Sequence, residues 1–296
     1  MMRGIISVAA IALLPTGAWA KEKNDLGPVR DKPAAEIVPG ESYVIIQATA
    51  GSSAGVSMLT LIRRPEQADL DDYRTRRAAA LTKAHAKWKK RHAAWESQRK
   101  YYLAEKAQGR AVPPPGKEPI EPTDANLTFP SIDLENMVAI GPLNRFSKME
   151  GKSVYIHHVR PGRYAIYGPV TQLPQPLGVC WCMGTIEFEV KSGSIVNAGT
   201  LRSVQAELVE KAKAAGATPP KTDFDLPGGA SPYAWDVPVS GDPIDPRLAA
   251  FTIVPANVRA AGRFPNYFGV AIDRLGPVPG VLDYDRDRVI DVKAGN

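Results

Sequence analysis

The sequence predicts a mainly β chain with an α insertion: a β-sandwich bearing a long projecting helix and a proline-rich return arm, followed by a loop-rich C-terminal region. Three observations predict it. Short β-branched runs bounded by turn residues lie on both sides of the insertion. Forty-three residues from Glu66 to Gln108 contain no glycine or proline. Six prolines then fall between residues 111 and 130. With 296 residues, 44% apolar and 23% charged, the chain has material for a substantial core, which excludes whole-chain disorder. Two cysteines exclude a disulfide-dense scaffold and a four-thiolate zinc site.

Residues 1–20 read as a secretory signal peptide: Arg3, an apolar stretch from Ile5 to Leu14, a break at Pro15-Thr16-Gly17, and Ala18-Trp19-Ala20 as an A-x-A cleavage site. The apolar stretch is too short to span a bilayer, and no later run is long enough. Cleavage would leave a chain starting at Lys21 with a net charge of +5, exported to a periplasm or secreted, where thiols tend to be oxidised. Residues 21–40, charged and proline-containing without periodicity, read as a flexible linker.

The sandwich is predicted to be discontinuous, over residues 41–65 and 131–201. Ser42 to Ala50 and Val56 to Arg63 read as strands around a small-residue turn, Gly51 to Gly55. Arg160-Pro161-Gly162-Arg163 has the composition of a type II turn and predicts a hairpin, with Val159 opposite Tyr164. Thr185 to Val190 and Ser194 to Leu201 read as two more strands joined at Ser192-Gly193.

Between them, residues 66–130 form the insertion. Glu66 to Gln108 is rich in strong helix formers, and a continuous helix would measure roughly 65 Å. Its largest apolar residues, Leu81, Trp88, Trp95 and Tyr102, recur every seven residues as one narrow stripe, with Ala84, Ala94 and Tyr101 near its edge. Ala111 to Pro130 favours extended polyproline II, about 62 Å long at 3.1 Å per residue, so it can return antiparallel along the helix and cover that stripe. The competing expectation is a disordered linker beside a frayed helix. Residues 202–296 read as a loop-rich region with a helix from Ser203 to Ala215, short helices from Pro255 and from Asn266 to Leu275, and a last strand at Val289 to Val292.

Val159 to Ile166 (Val-Arg-Pro-Gly-Arg-Tyr-Ala-Ile) and Ile186 to Gly193 (Ile-Glu-Phe-Glu-Val-Lys-Ser-Gly) together resemble a pattern in small exported bacterial β-sandwich proteins of unknown function, including the DUF2846 group. The resemblance covers Ser42 to Arg63 and Asn136 to Leu201. It implies a sandwich fold and an envelope location, and it carries no catalytic residue.

Several constellations bear on chemistry. Gly51-Ser52-Ser53-Ala54-Gly55 fits the G-x-S-x-G pattern of a nucleophile elbow, but a strand pattern rather than a helix follows Ser53, which argues against a hydrolase. Cys180 and Cys182 flank Trp181. If the register of Ile186, Phe188 and Val190 extends back through Gly184, both thiols face the core, where His157, Val159, Tyr164 and Ile166 share the inner face and His158 lies outside. A disulfide, inert core thiols, or a copper or zinc site using His157 are the readings this leaves open. His85 and His92, about 10.5 Å apart along the helix, are too distant to share one metal. Asp283, Asp285 and Asp287 mimic a calcium loop, yet Arg288 stands at the glycine position and Ala294 at the glutamate position; a strand edge paired by Arg286 and Arg288 is expected.

Charge placement is the strongest signal. From Arg74 to Arg110 there are twelve Lys and Arg against Glu96 and Glu105, a local charge of +10, while the rest of the cleaved chain carries −5. Lys87, Lys89, Lys90 and Arg91 with Trp88 and Trp95 form the expected binding surface of a non-enzymatic envelope protein. Anionic lipid headgroups, lipopolysaccharide or another acidic polymer would suit it. Self-association through the aromatic seam, as a coiled coil, is the second option, and a merely solvated helix the third. No nucleic acid partner and no resident cofactor are expected.

Overall fold

The computed structural model describes residues 26–49, 59–149, 151–171, 176–216, 218, 233–242 and 244–295. The predicted signal peptide and the Gly51–Gly55 turn with Ser53 lie outside them. In chain order the elements are β1 (Gly27–Pro28), β2 (Tyr43–Thr49), β3 (Leu59–Arg63), α1 (Gln67–Ala107), α2 (Ile132–Glu135), β4 (Met137–Ile140), β5 (Ser147–Met149), β6 (Lys152–His158), β7 (Gly162–Thr171), β8 (Leu177–Cys180), β9 (Thr185–Val190), β10 (Ile195–Ser203), α3 (Gln205–Ala214), β11 (Tyr233–Asp236), β12 (Ile253–Pro255), β13 (Arg259–Ala261), β14 (Ala271–Ile272), β15 (Leu282–Asp285) and β16 (Arg288–Asp291).

Among the described residues the fold is mainly β, with two seven-stranded sheets, a two-stranded ribbon and one long helix. The first sheet runs β1-β6-β2-β10-β11, with β5 on β6 and β12 on β10. The second runs β13-β9-β7-β3-β4, with β8 on β7 and β14 on β8. The largest core draws on both: Val44, Ile46 and Val196 from the first sheet, Leu61, Ile166 and Phe188 from the second.

The expected hairpin at Arg160–Arg163 is a correction. β6 pairs with β2 and β1, and β7 pairs with β3 and β9, so this turn carries the chain from one sheet to the other. The same holds for β2 to β3 and for β9 to β10 at Ser192-Gly193. The reason is burial on both faces. Strands β2, β3 and β9 are buried almost throughout, so their sequences lack the alternation that marks a two-stranded neighbour. Inner-face parity is nevertheless as expected: Val159, Tyr164 and Ile166 lie in the shared core, and His158 stacks outside on Tyr43 at 5.0 Å.

Residues 26–40 do not behave as a flexible linker. β1 pairs with β6, Val29 is buried, and Arg247 reaches back to Asp31 and to the Lys32 carbonyl. The C-terminal region is likewise woven into the sheets through β11, β12, β13 and β14. The helix expected from Ser203 appears as α3, but those expected from Pro255 and Asn266 do not form. Pro255 ends β12, and the Asn266 side chain closes a loop instead, accepting from the Val270 N–H and donating to the Val270 carbonyl. Residues Asp283 and Asp285 lie in β15, whose turn to β16 places Arg286 at φ 56°, and Asp285 pairs with Arg288 at 3.6 Å.

Candidate functional site

Helix α1 spans 41 residues, about 62 Å, and buries none of them. A helix this long exceeds the roughly 12–15 residues at which isolated helices become marginal, so propensity plus one covered stripe suffices. Its start is clasped to the second sheet. The Glu66 N–H donates to Asp69 at 2.8 Å, and the Arg63 guanidinium at the end of β3 donates to the other Asp69 oxygen. Burial pushes the Asp69 carboxyl up; the Glu66 N–H and Arg63 outweigh that and leave it below its usual range.

The proline-rich segment returns antiparallel along α1. Tyr73 donates to the Pro130 carbonyl at 2.8 Å, Arg77 pairs with Asp124, Trp88 Nε1 donates to the Pro119 carbonyl at 2.9 Å, and Trp95 Nε1 donates to the Gly116 carbonyl at 2.7 Å. His92 meets Glu118 at 3.0 Å, and His85 approaches Glu121 at 3.7 Å. Seven helical residues, about 10.5 Å, separate Trp88 from Trp95, while three arm residues, about 9.3 Å if extended, separate their acceptors. One heptad of α-helix therefore matches one turn of polyproline II. An extended proline segment makes no internal hydrogen bonds, so its carbonyls are available to the indoles. Leu81, Ala84, Trp88, Trp95 and Tyr102 are half-buried, as are Pro115, Pro119 and Pro122, whereas Ala94 and Tyr101 stay exposed.

The four basic residues of the expected binding surface take no part in this closure. Lys87, Lys89, Lys90 and Arg91 are exposed, and no described acid pairs with them. Arg99 and Lys106 lie over the Trp95 and Tyr102 rings, at 5.4 and 5.7 Å. Around the arm, then, α1 presents a cationic surface, with its aromatic stripe already occupied.

Cys180 and Cys182 are joined by a disulfide, with Cα atoms 5.1 Å apart. They belong to a second core on the outer face of the second sheet, with Ile62, Ala165, Tyr167 and Phe264. His157 lies elsewhere, on the inner face of β6 between Pro28 and Val44. The expected convergence of two sulfurs and an imidazole does not form, because residues 181–184 make a turn that breaks the parity carried back from β9. Trp181, not its neighbours, enters the shared core. Among the described residues no three His, Cys, Asp or Glu gather closely enough to hold a metal.

His157 is 2% exposed, and burial lowers its pKa to about 4, so the ring is neutral near pH 7. Its Nε2 has no partner among the described atoms, nor has the buried Nε of Arg63. Both residues line a cleft of about 270 Å³ where the free edges of β1 and β4 face one another. Sequence reasoning missed this cleft. The available signal was an arginine closing the apolar strand Leu59-Thr60-Leu61-Ile62, on the same face as Leu59 and Leu61.

Comparisons with family models, with curated proteins and with solved structures return no match.

Proposed function

We propose that this chain is exported to the cell envelope and serves there as a non-enzymatic binding protein. In this reading the two sheets face each other as a β-sandwich, and α1 with its proline arm stands off the body. A core shared between the sheets and a helix without a buried residue support that shape. The exposed cations of α1 then dock on anionic lipid headgroups.

A single observation carries the docking: the arm occupies the aromatic stripe but leaves Lys87, Lys89, Lys90 and Arg91 exposed and unpaired. Attraction to an anionic surface amounts to about 1 kcal/mol per Lys or Arg near it. The tryptophans, held by arm carbonyls, contribute stiffness rather than insertion. The same closure weakens self-association, since a coiled coil would need the seam the prolines already cover. The disulfide and its separation from His157 likewise remove support from a copper or zinc site.

Co-sedimentation with vesicles containing phosphatidylglycerol tests the proposal. Wild-type protein should pellet at low salt and release as ionic strength rises, because exposed charges are screened within about 8 Å at physiological salt. Changing Lys87, Lys89, Lys90 and Arg91 to Glu should abolish pelleting while leaving the circular dichroism spectrum intact. Pelleting that survives the charge reversal would rule the reading out.

A further inference from the structure

The cleft between the edges of β1 and β4 has the composition of a small-molecule site. Its walls are apolar, with Val138, Val159 and Tyr164 facing inward, and its volume of about 270 Å³ is near the lower end for small ligands. The two enclosed side-chain atoms of its lining that lack a described partner are both nitrogens. Arg63 Nε carries an obligatory N–H and is enclosed without a partner, as is His157 Nε2. Arg160, exposed at the mouth, makes no described hydrogen bond or ion pair with a carboxylate, although its charge acts on Asp69. The neighbouring acids are committed: Asp69 to Arg63, and Glu135 to Arg76 through two bonds of 3.0 and 2.6 Å. A buried polar atom without a partner costs about 1–3 kcal/mol, a penalty that a bound acceptor removes.

We propose that this cleft binds a small monocarboxylate with an apolar body, its carboxylate held between Arg160 and the enclosed Arg63 Nε–H and its hydrocarbon lodged between Val138, Val159 and Tyr164. An oxyanion is indicated because Arg63 Nε and the Arg160 guanidinium can only donate. A monocarboxylate is indicated over a phosphate because the walls are apolar and a more highly charged head would lose more hydration there. The site is independent of the basic helix surface.

Isothermal titration calorimetry of the intact protein with octanoate tests it, with octanol, octylamine and inorganic phosphate as comparison probes. Octanoate should bind more tightly than octanol, and octylamine should not bind. Arg160→Gln, at an exposed position, should weaken octanoate at least tenfold and leave octanol unchanged. Val138→Trp should fill the slot and abolish both. If Val138→Trp unfolds in a thermal melt, Arg160→Gln alone decides. Absence of octanoate binding, equal binding of octanol, indifference to Arg160→Gln, or phosphate competing as well as octanoate would each overturn the proposal.

Discussion

His157 illustrates how one buried ring links sequence to stability. Its folded pKa of about 4 lies below the ordinary 6.5, so the unfolded chain takes up a proton that the native protein refuses. Its contribution is fully present above pH 6.5 and is lost as pH falls toward 4, amounting to about 3 kcal/mol at most. Urea unfolding at pH 7.0 and 4.5 should reveal that loss in the wild type and a much flatter dependence in His157→Leu. An identical slope in the variant would assign the loss elsewhere. The Cys180–Cys182 bond closes so short a loop that its chain-entropy effect is only about 1.5 kcal/mol. Cys180→Ala with Cys182→Ala should therefore remain folded, with a melting temperature lowered by a few degrees. A protein that cannot fold without the bond would contradict this. Which cores these residues occupy was not legible locally: the apolar neighbours of both cysteines look alike until residues 181–184 turn.

Among elements, the helix and its arm were the most legible. Heptad spacing of Leu81, Trp88, Trp95 and Tyr102 is a local periodicity, and the proline run has one favoured extended form. The two indole bonds fix their register. Trp88→Phe with Trp95→Phe removes both donors, at about 1 kcal/mol each. The arm should then open, and trypsin should cleave more rapidly after Lys117, while the sheets keep their protection from hydrogen exchange. Unchanged cleavage would mean that ring packing alone holds the arm. The clasp at the base is a different matter. Asp69→Ala leaves the buried Arg63 guanidinium without its carboxylate, and breaking a buried pair in this way costs about 3 kcal/mol. Chemical denaturation should register that loss globally, because Arg63 belongs to β3. The Asp69 carboxyl is held below its unfolded value, so its contribution is present above the unfolded pKa and lost as acid protonates the native group.

At the scale of the whole molecule, the joining of distant segments governs behaviour. Arg247 collects Asp245, Asp31, the Lys32 carbonyl and the Phe146 carbonyl, stapling the start of the described chain to its C-terminal third. The Asp245 carboxyl is held near 2 chiefly by that guanidinium, against the opposing effect of burial and with help from the Arg247 N–H. Arg247→Met should cost about 2 kcal/mol and speed hydrogen exchange over residues 27–37. If those amides keep their protection, β1 is held by its ladder alone. Nothing in the composition of residues 21–40 announces this attachment, since its partners lie more than two hundred positions away.

What the sequence determined by itself is whatever depends on near neighbours: a long helix from its residue types, an extended return from its prolines, the parity of His157 and His158 about one turn. The tertiary structure alone decided which strands share a sheet, that three apparent hairpins cross between sheets, and that an imidazole and an arginine meet at a cleft. Strand pairing is settled by which buried faces can pack over long separations, and strands buried on both sides carry almost no local mark of their partners.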